Sequence, residues 1–137
     1  MNWNKGFTLI ELMVVILIVA ILAAVAIPIM RGRIDAAKWS EGKAMAGTLG
    51  TAIRAYFAEK GPDGDDGSGS PDLTALGFAS SDLTGTYFDS GDYDWTTTYD
   101  DTGDPALEFT ITVTAPTGIT TPSEVQLNHL GEWTETE

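Results

Sequence analysis

The chain has 137 residues, with seven basic against 20 acidic side chains and a net charge of −13. That length holds one small domain and one extra element, not a multidomain enzyme, and so acidic a chain repels the phosphates of nucleic acid. With no cysteine and one histidine, His129, disulfides, thiolate metal sites, cysteine nucleophiles and multi-histidine metal sites within one chain are excluded.

The charge is unevenly divided. All seven basic residues fall in the first 60 positions, where four acids leave +3; the remaining 77 residues carry 16 acids and no Lys or Arg, giving −16. A short polar stretch, residues 1–6 (MNWNKG), comes first. Residues 7–30 then read FTLIELMVVILIVAILAAVAIPIM, with Glu11 as the one charge. As a helix this run spans about 36 Å, enough to cross a hydrocarbon core of about 30 Å. A domain of the remaining size could not surround a helix that is apolar on every face. The run is too long for a cleaved secretory signal, and Pro28 and Arg31-Gly32-Arg33 stand where a small-residue cut site would be. If anything is removed, the six polar residues are the candidates.

The segment Lys5-Gly6-Phe7-Thr8-Leu9-Ile10-Glu11-Leu12 resembles the prepilin cleavage motif of type IV pilins and of the pseudopilins of type II secretion. The likeness covers about residues 1–60, most closely as far as Pro28. It implies a leader, residues 1–6, cut between Gly6 and Phe7 by a membrane prepilin peptidase, then N-methylation of Phe7. It further implies packing of the apolar helices into a filament core, with inner-membrane assembly machinery as a partner. Filament pilins often carry a helix-breaking Gly where this chain has Ala20.

Glu11 has its own physical argument. An ionised carboxylate within a bilayer is costly and calls for a partner. The natural cation at that depth is the new amino group of Phe7 on a neighbouring copy, so cleavage creates the charge that Glu11 needs. Pro28 lacks an N–H and crowds the carbonyl four residues back, which predicts a kink near Val25–Ile27. Charge counting would keep the Arg31, Arg33 and Lys38 flank in the cytoplasm; the resemblance places the C-terminal domain outside, and that orientation is the one expected.

Over residues 31–60 the apolar face narrows to an interrupted stripe through Ile34, Ala37, Glu41, Ala44, Met45, Thr48, Leu49, Ala52, Ile53, Tyr56 and Phe57, an amphipathic pattern. Gly32, Gly42, Gly47 and Gly50 read as points where this half bends. Gly61-Pro62 is a stop signal. One helix of about 81 Å is expected over residues 7–60, its first half in the membrane or filament core and its second half on a small domain.

Residues 61–137 form the acidic domain. Residues 61–71 (GPDGDDGSGSP) read as a loop. Ser70-Pro71-Asp72 reads as the capped start of a short helix ending at Gly77, and Ser81-Asp82-Leu83 as another turn. Alternation through Tyr93–Tyr99, Leu107–Val113 and Val125–His129 predicts strands, with Asp100–Pro105 as a turn. The expected fold is α+β: a long helix across a three- or four-stranded antiparallel sheet, which needs that cover to complete a core.

Asp63, Asp65 and Asp66 are the candidate ligands for a weak calcium site, with Asp89, Asp92 and Asp94 as a second cluster. Neither has the spacing of a dedicated calcium loop, and a solvated acidic surface is the plainer reading. His129 has no accompanying nucleophile signature, and no phosphate-cradling loop is present. The expected function is structural, not enzymatic: a subunit of a type IV pilus-like filament, held in the inner membrane before assembly and at the cell surface after it. The alternative is a periplasmic pseudopilin of type II secretion. Pseudopilins usually show a Tyr-Pro motif after the helix; Lys60-Gly61-Pro62-Asp63 stands here instead.

Overall fold

A computed structural model describes residues 6–61 and 70–137. Residues 1–5 of the expected leader, and the candidate ligands Asp63, Asp65 and Asp66, lie outside the described residues. The architecture is α+β. One helix, α1 (Leu9–Lys60), is followed by two 3-10 helices (Ser80–Leu83 and Ser90–Asp92). Four strands come next: β1 (Tyr93–Tyr99), β2 (Leu107–Thr114), β3 (Glu124–Asn128) and β4 (Trp133–Thr136). The strands lie side by side in chain order, each antiparallel to the next. The chain divides into two compact units, Met1–Ile34 and Asp35–Glu137.

In the second unit the period-two pattern does what it predicts. Phe109, Ile111 and Val113 of β2 and Val125 and Leu127 of β3 are buried on one face, and the register sets Ile111 opposite Leu127 and Val113 opposite Val125. The other face carries Thr96, Thr110, Thr112, Gln126 and Asn128, as alternation requires. The C-terminal part of α1 supplies Trp39, Ala46, Leu49, Ile53 and Phe57 to the same core. Phe57 stacks on Tyr99 at 5.4 Å between ring centroids, and Trp39 meets Phe88 at 5.1 Å.

The helix stripe differs from the expected one. The buried row is Asp35, Trp39, Gly42, Ala46, Leu49, Gly50, Ile53 and Phe57, while Ile34, Ala37 and Ala44 are exposed. The reason lies in the glycines. A Cβ on Gly42 would stand 2.9 Å from the Phe88 ring, and one on Gly50 would stand 3.4 Å from Phe109. Two of the four residues expected to bend the helix are therefore the places where aromatic rings press against its backbone, and they fix which face is buried.

Two polar anchors accompany that face. Asp35 is 6% exposed, and its Oδ2 accepts hydrogen bonds from the Thr120 hydroxyl at 2.8 Å and the Thr120 N–H at 3.1 Å. Lys38, whose Nζ lies 3.8 Å from the Asp35 carboxylate, donates to the Gly118 carbonyl. Glu41 accepts from the N–H groups of Tyr87 at 2.8 Å and Phe88 at 3.1 Å, which holds the Phe88 segment against the helix. The Thr120 hydroxyl, then its N–H, keep the Asp35 carboxyl below the usual range, and the Tyr87 N–H leads in doing the same for Glu41.

The expected short helix after Ser70 is a hydrogen-bonded turn instead. Asp72, not Ser70, caps it by accepting from the Ala75 N–H at 2.7 Å, and Gly77 ends it with φ +87°. The Ser70 hydroxyl has another partner: it accepts from the Thr97 N–H on the free side of β1, where the Trp95 indole also donates to the Pro71 carbonyl. One free backbone donor of that edge is thus taken up by the chain itself. The opposite edge, β4, is fully exposed; it carries Glu135, to which Lys43 pairs at 2.6 Å, and is flanked by Glu132 and Glu137. His129, expected as the last residue of its strand, lies instead in the β3–β4 turn, one residue beyond β3.

Candidate assembly site at the helix N-terminus

The first unit has no core of its own. From Phe7 to Met30 every large apolar side chain is at least 47% exposed, Phe7 reaching 82%. Ile10, Met13, Val14, Leu17 and Ala20, at helical spacing, line an apolar groove. α1 is long and apolar enough to cross a membrane. The backbone of this stretch is satisfied by its own helix, as a hydrocarbon setting demands; only the side chains lack partners.

The first turn is tightly built. Glu11 Oε2 accepts from the Thr8 N–H at 2.9 Å and the Thr8 hydroxyl at 2.7 Å, and the Glu11 N–H returns to the Thr8 hydroxyl oxygen at 3.3 Å. This is a capping box, in which Thr8 and Glu11 satisfy each other's otherwise orphaned backbone donors. The sequence reading missed it, though the signal was there: Thr8-Leu9-Ile10-Glu11 has the T-x-x-E spacing directly before an apolar run. The box clamps the carboxylate by one oxygen and leaves Oε1 with no hydrogen bond among the described residues. Phe7 and Gly6 sit in the extended lead-in just before it. Gly6, Phe7 and Glu11 therefore lie within six consecutive residues at the start of the helix. Pro28 lies inside the continuous helix, where its missing N–H leaves the Ala24 carbonyl without the usual donor.

The remaining candidates are not brought into a site. In the second acidic cluster Asp89 accepts from the Gly91 N–H, Asp92 from the Asp89 N–H and Asp94 from the Trp95 N–H. These carboxylates cap turns and a strand start. Among the described residues no three His, Asp or Glu side chains come together to hold a metal. His129 gives its carbonyl to Arg54 at 3.0 Å and lines a shallow polar groove with Thr96, Thr98, Glu108, Thr110 and Asn128.

A helix with a bare apolar start, a capped carboxylate in its first turn and a sheet packed only on its C-terminal part defines a class: a chain whose apolar end is long enough to cross a membrane and is left uncovered by its own fold. Residues 4–27 match the family described as the prokaryotic N-terminal methylation motif. The curated relatives that the chain resembles are named as fimbrial and type IV pilin proteins. It is 40% identical over 106 residues to a fimbrial protein of Dichelobacter nodosus, covering 74% of this chain and 61% of that one. It is 46% identical over 58 residues to fimbrial protein EcpC of Eikenella corrodens, covering 42% and 38%. It is 49% identical over 57 residues to the type IV major pilin protein PilA of Myxococcus xanthus, covering 42% and 26%. The matched stretch spans less than two thirds of each of these relatives. No solved structure matches the chain.

Proposed function

We propose that the protein is the structural subunit of a type IV pilus-like filament, matured by cleavage between Gly6 and Phe7 and by N-methylation of Phe7. The observation that carries this reading is the apolar stretch from Phe7 to Met30, whose large side chains are all exposed. A bilayer covers such a surface before assembly, and a bundle of identical helices covers it afterwards. Charge follows the same logic. Cleavage at Gly6 leaves an ammonium on Phe7, and the open oxygen of Glu11 on a neighbouring copy is its complement in a medium where unpaired charge is costly. Mutual pairing sets the axial offset of adjacent helices. The fimbrial and major-pilin names of the relatives favour a pilus over a pseudopilus. The location that goes with this function is the inner membrane and then the cell surface, with prepilin peptidase and the membrane assembly machinery as partners. Nothing in this role calls for catalysis.

The test is the N-terminal sequence and intact mass of the protein in a fraction sheared from cells. A chain starting at methylated Phe7 in that fraction is expected. Processed protein found only in membranes would replace the pilus with a pseudopilus, and an uncut Met1 in the assembled material would remove the reading.

A further inference from the structure

The two units have opposite charge. Met1–Ile34 holds Lys5, Arg31 and Arg33 against Glu11, a balance of +2; Asp35–Glu137 holds four basic and 19 acidic residues, a balance of −15. The cations of the second unit are largely committed at home. Lys38 serves Asp35 and Gly118, Lys43 serves Glu135, and Arg54 serves the His129 carbonyl while lying over the Phe109 ring. Arg31 and Arg33 are different. Both are exposed, and neither takes part in an ion pair among the described residues. The acid placed one helical turn after Arg31 is Asp35, and its carboxylate is already held by Thr120 and Lys38. On the acidic side, Asp101, Asp104 and Glu108 are exposed carboxylates with no ion pair among the described residues.

We propose that Arg31 and Arg33 bind the acidic surface of a second copy of this chain, and that this contact allows units of charge −15 to stand side by side. The inference rests on the filament reading. Like-charged domains in lateral contact lie within the screening length of about 8 Å at physiological ionic strength, so their repulsion is only partly screened. Two residues apart on a helix is a rotation of about 200°, so the two guanidiniums leave from nearly opposite sides and serve two different neighbours. Guanidinium suits the task, because it stays charged and grips carboxylates through two parallel N–H groups.

The experiment measures sheared filaments from cells carrying wild type, R31Q/R33Q or R31K/R33K, washed in a series from low to high sodium chloride, with the membrane pool of each measured alongside. For R31Q/R33Q the expected result is a filament yield reduced roughly tenfold at low salt, two exposed pairs per copy acting together, and close to wild type at high salt, where attraction and repulsion are both screened. R31K/R33K is expected to stay near wild type. Equal yields of wild type and R31Q/R33Q at every salt concentration would overturn the proposal. So would a deficit that salt does not close. A fall of R31Q/R33Q in the membrane pool itself would give the two arginines to anionic lipid headgroups instead. Absence of filaments from wild type would count against the filament reading, not against the arginine contact.

Discussion

The two units solve opposite problems with the same polymer. In Asp35–Glu137 the apolar side chains are covered by the chain itself, down to 0% exposure at Leu49, Ile53, Ile111 and Val113. In the stretch from Phe7 to Met30 none is covered. Burial of apolar surface stabilises in proportion to the area removed from water, so the second unit gains its stability on folding, whereas the first gains it only when another surface arrives. Local structure is sufficient for one half of the molecule and preparatory in the other.

That contrast is sharpest at Glu11. Replacing it with Ala is expected to reduce the sheared filament fraction to background, while the membrane pool and the thermal melt of detergent-solubilised protein stay as in wild type. Mature filaments at wild-type yield would erase the distinction between a carboxylate kept for a neighbour and one kept for its own helix cap. Thr8→Ala separates the two roles from the other side: it removes the cap, worth about 1 kcal/mol, but leaves the charge, so assembly should weaken without being lost.

Within the second unit the largest effect is expected at Phe88, which is 1% exposed and pressed against Gly42. Phe88→Ala should cost about 3–5 kcal/mol in denaturant unfolding with little effect on membrane retention. Gly42→Ala should cost about 1–3 kcal/mol by overpacking, and most of that cost should vanish in a Phe88→Leu background. Additive losses in the double variant would show that the two residues are not in contact.

The pH dependence of the second unit is smaller and has a defined sign. Asp35 and Glu41 have carboxyl pKa values depressed by their Thr120 and Tyr87 partners. Their contribution is therefore present above the unfolded carboxylate range, near pH 4, and is lost as pH falls through the lower folded values. Thermal melts from pH 6 downward should show this loss, and Asp35→Asn should flatten it. At the other extreme, burial first, then the charges of Glu41, Asp92 and Asp89, push Tyr93 up to about 12. The folded state keeps that proton after the unfolded chain has released it, so stability falls between about pH 10 and 12. The tyrosinate absorbance that disappears in Tyr93→Phe should be the part that rises only near pH 12.

Much of this was legible beforehand for physical reasons that differ between the halves. A run of 24 residues with one charge admits few structures, and Lys5-Gly6-Phe7 with Glu11 marks its start, so the candidate assembly residues could be named from the chain alone. The strands were legible because Phe109, Ile111 and Val113 alternate with polar partners. The buried face of the helix was not, because the residues that define it include an acid and two glycines. Asp35 is buried only because Thr120, 85 positions away, supplies its donors, and Gly42 is informative only once Phe88 is known to be there. Partners distant in sequence leave no local signal.

The partly capped β1 edge and the acidic β4 edge have a consequence for how copies of such a chain meet. Free strand edges invite runaway pairing between molecules, and acidic or capped edges suppress it. Here Ser70 takes one free backbone donor of β1, and Glu132, Glu135 and Glu137 put negative charge along β4, so edge-to-edge pairing between copies is disfavoured at both sides of the sheet.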